Sequence, residues 1–166
     1  MWNTWANLLT AIRTISIFPC AWAIVTGRWD VAAVLFTLAV FTDLLDGPLA
    51  RHFNHASGLG GLLDHATDAA FVTITVAALA WMDYGNWILP PLIAGAFIQY
   101  VLDSRVLAGQ DLRTSWLGKN NGILYFVLAG IPIIRNALGL TWPTDIWITL
   151  FSWLLVVTTL ISILDR

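Results

Sequence analysis

Four aspartates fall within one short stretch of otherwise apolar sequence. It reads Asp43-Leu-Leu-Asp46-Gly47-Pro-Leu-Ala50-Arg51, then eight residues, then Gly60-Gly-Leu-Leu-Asp64-His65-Ala-Thr-Asp68. Asp43 and Asp46 stand three apart and Asp64 and Asp68 four apart. Both spacings put a pair on one face of a helix. Carboxylates are hard oxygen donors, and no thiolate stands beside them, so the set suits Mg²⁺ or Mn²⁺ rather than structural zinc. Four carboxylates can hold two such ions, and two-metal sites clamp phosphoryl groups while stabilising attacking and leaving oxygens. Gly47, Ala50 and Gly60 share the acid-bearing faces and leave space for a bulky polyphosphate. Arg51 can grip phosphate oxygens with its planar fork.

The elements that carry these residues must cross lipid. The 166 residues are 58% hydrophobic and 11% charged, against roughly a quarter charged in soluble domains, and mean hydropathy is +0.77. Spanning the hydrocarbon core takes about 20 helical residues. Six windows qualify: about Asn7–Gly27, Asp30–Arg51, Gly60–Met82, Trp87–Leu107, Gly118–Asn136 and Thr144–Ile163. The expected fold is an all-α integral membrane bundle of six transmembrane helices, a single domain over residues 1–166. Trp2, Trp5, Trp29, Trp81, Trp87, Trp116 and Trp142 fall near window ends, where indole rings favour the headgroup region. Arg51, Arg105, Arg113, Lys119, Arg166 and Arg13 gather on the side of both termini, against Arg28 and Arg135 on the other. That bias puts both termini in the cytoplasm. A net charge of −2 offers no basic stripe for nucleic acid. The lone Cys20 excludes a disulfide framework and fits a packing role. The first apolar run holds Arg13 and Pro19 and lacks a basic leader, so a cleaved signal peptide is not expected.

Lipid makes the aspartates expensive: each costs about 2.5–3.5 kcal/mol at mid-span. They must face a polar interior, pair with cations, or both. Arg51 is the only Lys or Arg between Asp43 and Asp68, which leaves bound metal as the natural counter-charge. Depth agrees. At about 1.5 Å per residue, Asp43 and Asp46 lie roughly as deep from the Arg51 end as Asp64 and Asp68 lie from Gly58. A second polar stripe, Asn7, Thr10, Arg13 and Thr14, recurs at helical spacing in the first window. It reads either as a snorkelling interfacial turn or as one wall of a cytoplasmic cavity.

The chain resembles the CDP-alcohol phosphotransferase family, whose signature is D-x-x-D-G-x-x-A-R, about eight residues, then G-x-x-x-D-x-x-x-D. Asp43, Asp46, Gly47, Ala50, Arg51, Gly60, Asp64 and Asp68 occupy every fixed position. Asn7-Leu-Leu-Thr10-Ala-Ile-Arg13 is similar to the family's first-helix pattern, with Ala6 where Pro is frequent. The resemblance implies transfer of a phosphatidyl group from a CDP-linked lipid, usually CDP-diacylglycerol, to an alcohol, with release of CMP. It implies metal ligation by Asp43, Asp46, Asp64 and Asp68, and Asp68 as general base. It also implies CDP binding by Gly47, Ala50, Arg51 and Gly60. The expected location is the bacterial inner membrane, with the site on the cytoplasmic side to which the Lys and Arg bias assigns the Arg51–Gly60 connection. The family is commonly dimeric, and composition neither supports nor opposes a homodimer here.

Many acceptors in the family carry a phosphate. Arg105 closes the fourth window, and Gly118-Lys119-Asn120 opens the fifth, where a helix N-terminus and a lysine together make an anion site. The expected acceptor is therefore glycerol 3-phosphate. Two residues depart from phosphatidylglycerophosphate synthases: Ala69 stands where they usually have Lys, and His65 where they usually have Pro. Choline and ethanolamine phosphotransferases often have His there, so inositol phosphate, serine and choline-type acceptors are alternatives. A cation transporter would explain the aspartates but leaves Gly47, Ala50, Arg51 and Gly60 without a role.

Overall fold

The computed structural model describes residues 5–52, 58–104 and 116–165, without the side chains of 5–7, 45–52, 58–60 and 103–104. Six helices follow in order: α1 (Trp5–Val25), α2 (Trp29–His52), α3 (Gly58–Trp81), α4 (Leu89–Ser104), α5 (Trp116–Ala137) and α6 (Asp145–Leu164). The described residues contain no strand. Their starts match the expected windows to within a turn. At α4 the Asn86 carboxamide oxygen accepts the backbone N–H groups of Ile88 and Leu89 at 3.1 and 3.0 Å. Pro90 and Pro91 fill the first turn that follows, where a missing N–H costs nothing.

α1, α3, α5 and α6 are long and apolar enough to cross a membrane. α4 is shorter, and α2 carries Asp30, Asp43, Asp46 and Arg51 among its apolar residues. Large hydrophobic side chains point outward: Ile15, Phe18 and Trp22 on α1, Val34 and Phe41 on α2, Ile146, Leu150 and Val157 on α6. Contiguous apolar surface on this scale is not tolerated facing water, and it fits an integral membrane protein.

α1 lies against α2 and α3; α2 and α3 both pack on α5; α4 and α5 pack on α6, and α3 touches α4. The centre is an aromatic group from three helices. Phe71 of α3 stacks on Phe126 of α5 with centroids 6.2 Å apart, and Phe36 of α2 tilts against both. Gly130 lets α5 approach this group, since a Cβ there would lie 2.9 Å from Phe36 Cε1. Cys20 is fully buried, its Sγ 3.9 Å from the Ala32 carbonyl of α2.

Helix ends opposite the acids are closed by tight turns. Gly27 has φ +71 and Arg28 N–H reaches back to the Ala23 carbonyl at 2.8 Å. Gly139, with φ +64, ends α5 the same way, Leu140 N–H bonding the Arg135 carbonyl at 2.9 Å. These are left-handed caps that return the chain into an antiparallel neighbour. Arg135, almost buried, donates to Asp145 Oδ1 and to the Pro143 carbonyl, each at 2.7 Å. It thereby ties α5 to the start of α6.

Candidate active site

α2 and α3 run antiparallel, so Asp43 near the end of one stands beside Asp64 and Asp68 near the start of the other. Their carboxylates converge on a single atom, Nη1 of Arg13 on α1. Asp64 Oδ1 lies 2.8 Å from it, Asp43 Oδ1 lies 3.5 Å away, and Asp68 Oδ1 accepts a still shorter hydrogen bond. Arg13 is 0% exposed. It does not snorkel. The local shortage of cations holds only along the chain: α1 supplies one from far upstream. Around it the α1 stripe packs on α3, with Thr14 Oγ1 donating to the Thr10 carbonyl at 2.8 Å and lying 3.4 Å from Thr67 Oγ1.

These oxygens can serve a metal. That all three reach one nitrogen shows that they can reach one cation. Three carboxylates outweigh one guanidinium, so the cluster keeps a net negative charge that draws a dication. Asp64, His65 and Asp68 also offer ligand atoms within 4.8 Å of one another. His65 sits at the exposed rim of the acids, edge-on to Tyr100 of α4 at 6.0 Å. Adjacent positions on a helix do not share a face. Sequence spacing therefore gave no reason to group His65 with Asp64 and Asp68; the reach of the imidazole does.

Beside the acids opens a cavity of about 1020 Å³. Asp43, His65, Asp68, Gly118 and Lys119 line one end, and Phe36, Val40, Phe126 and Ile131 line its apolar length. It continues to Arg135 and Pro143, and from Gly118 to Arg135 helix α5 rises roughly 25 Å. Arg13 and Thr10 are not among the residues that line this cavity. Lys119, in the first turns of α5, shares the cavity with Asp68. Gln99 and Tyr100 of α4 join the same wall, a contribution that no motif announced. The side chains of Asn7, Asp46, Gly47, Ala50, Arg51 and Gly60 lie outside the described residues, although α1, α2 and α3 carry their backbones. Arg105 lies outside them altogether.

The model of the CDP-alcohol phosphatidyltransferase family matches residues 3–164. The chain belongs to this family. Among its relatives is the CDP-diacylglycerol–glycerol-3-phosphate 3-phosphatidyltransferase of Salmonella typhimurium (strain LT2), 29% identical over 156 residues, covering 86% of this chain and 79% of the relative. The protein of the same name in Yersinia pestis (strain Pestoides F) is 25% identical over 167 residues, covering 92% of this chain and 83% of its own length. A cardiolipin synthase (CMP-forming)/mitochondrial hydrolase fusion protein of Schizosaccharomyces pombe is 36% identical over 92 residues, which cover 55% of this chain and 16% of that protein. Membership makes this chain an enzyme of the phosphatidyltransferase kind.

Proposed function

We propose that this protein transfers the phosphatidyl group of CDP-diacylglycerol to glycerol 3-phosphate in phospholipid synthesis, releasing CMP. The observation that carries the reading is the cavity, acidic and cationic at one end and apolar along its length. CDP-diacylglycerol has that same division, a charged diphosphate on two acyl chains. Names of the bacterial relatives support glycerol 3-phosphate as the acceptor.

Asp43, Asp46, Asp64 and Asp68 would hold two Mg²⁺ or Mn²⁺ ions, and bound ions would supply positive charge to the diphosphate and to the departing CMP. Gly47, Ala50 and Gly60 leave room for the cytidine diphosphate, and the Arg51 fork holds its phosphate oxygens. Arg105, Lys119 and the N-terminus of α5 hold the phosphate of the acceptor. Asp68 then takes the proton from the acceptor hydroxyl. The hydroxyl oxygen forms a bond to the lipid-side phosphorus, the bond from that phosphorus to the CMP oxygen breaks, and CMP leaves with the electron pair. The Phe36–Phe126 stretch of the cavity receives acyl chain. In this reading residues 1–166 act as one domain of six spans in the bacterial inner membrane, with both termini and the site on the cytoplasmic side.

The test is CMP release by purified protein in nanodiscs with Mg²⁺, CDP-diacylglycerol and a panel of glycerol 3-phosphate, inositol phosphate, serine and choline. CMP is expected with glycerol 3-phosphate. Release with a different acceptor alone would overturn the acceptor, and no release from folded protein would overturn the reaction.

A further inference from the structure

We propose that Arg13 is a resident counter-ion of the acid cluster, holding Asp43, Asp64 and Asp68 together in the metal-free protein and yielding their point of convergence to the divalent cation. This deepens the metal-site reading above and rests on it. Three carboxylate oxygens that all lie within 3.5 Å of one nitrogen also crowd one another. Without a cation between them they would repel, and a fully buried guanidinium without carboxylates would be equally unfavourable. Each side therefore keeps the other in place.

The same contacts make Arg13 a competitor. A small dication binds carboxylate oxygens at about 2.0–2.1 Å, and one that took these three oxygens would occupy the point where Nη1 now stands. Two cations cannot share it, on grounds of both volume and like charge. Arg13 must shift to outer carboxylate oxygens. Arg13 is thus a positioning residue: it organises the ligands before loading and sets how tightly the ion is held.

The experiment measures Mn²⁺ binding and thermal unfolding in nanodiscs, with no turnover involved. Arg13→Gln is expected to bind Mn²⁺ at least about tenfold tighter than wild type, or ~1.4 kcal/mol. Its metal-free form is expected to melt lower than wild type, with the gap closing at saturating Mn²⁺. Arg13→Lys keeps the charge and is expected to restore an affinity near wild type. Equal or weaker Mn²⁺ binding by Arg13→Gln, or a melting deficit that Mn²⁺ leaves unchanged, would overturn the proposal and leave the metal site standing. Absence of Mn²⁺ binding by wild type would overturn the metal site itself. Should Arg13→Gln fail to fold, ¹⁵N-arginine spectra of wild type decide. Slowed Nη rotation of Arg13, assigned by its absence in Arg13→Lys, is expected to be lost on adding Mg²⁺; its persistence in the Mg²⁺-bound protein overturns the proposal.

Discussion

Asp68→Asn separates chemistry from architecture more sharply than any other change. Asp68 lines the cavity, and its Oδ1 accepts from Arg13. The carboxamide has the same shape and keeps an oxygen that can accept that bond. Arg13 also retains Asp64 at 2.8 Å and Asp43 at 3.5 Å, so the guanidinium is not left unpaired. The stability cost should therefore stay within the range of one charged hydrogen bond, about 1.5–3 kcal/mol. What the variant cannot do is accept a proton from the acceptor hydroxyl. Loss of a general base typically costs about 10²–10⁴-fold in rate, or roughly 3–5 kcal/mol of barrier. The assay is single-turnover CMP formation at saturating Mn²⁺ and acceptor, beside equilibrium binding of CDP-diacylglycerol. Turnover should fall by at least about a hundredfold, while binding of the CDP-lipid largely survives. Rates within tenfold of wild type would refute Asp68 as the base. Equal loss of binding and turnover would instead give Asp68 a purely ligating role.

Lys119→Ala should raise the acceptor KM by about tenfold, the equivalent of ~1.4 kcal/mol, and move the CDP-lipid KM much less. Equal shifts in the two constants would reduce Lys119 to a topological charge. Chelation of divalent ions should abolish CMP release, with Mg²⁺ or Mn²⁺ restoring it; full activity in the chelator would refute the metal role of the aspartates. Gly130→Val should lower stability by about 1–3 kcal/mol through overpacking, because Phe36 is already wedged against Phe71 and Phe126. Thermal unfolding checks this, and an unchanged melting temperature would mean that α2 and α5 can part without cost.

The helices were legible because hydropathy is a property of each segment by itself. Windows such as Asp30–Arg51 and Gly118–Asn136 fall on α2 (Trp29–His52) and α5 (Trp116–Ala137) within about two residues at each end. Span number was less legible: α2 mixes acids into its apolar run, and α4 is short. Pairing on α3 was legible too, since the four-residue spacing of Asp64 and Asp68 puts both on one face, and both reach Arg13; the side chain of Asp46 lies outside the described residues.

Arg13 shows where that legibility stops. From sequence alone its stripe could snorkel or line a cavity, and Arg13 stands thirty residues before Asp43 along the chain. The choice depends on α1 lying against α3, a contact between segments far apart in the chain. The cavity that joins Lys119 to Asp68 likewise exists only because α5 packs on α2 and α3. Spacing by itself put Asp64 and Asp68 on one face of α3, because that is read along one helix, and the motif that joins them to Asp43 pointed to the family. Tertiary packing alone decided that a buried arginine stands among those acids and that Lys119 shares a cavity with Asp68, because charges on different helices meet only where the helices do.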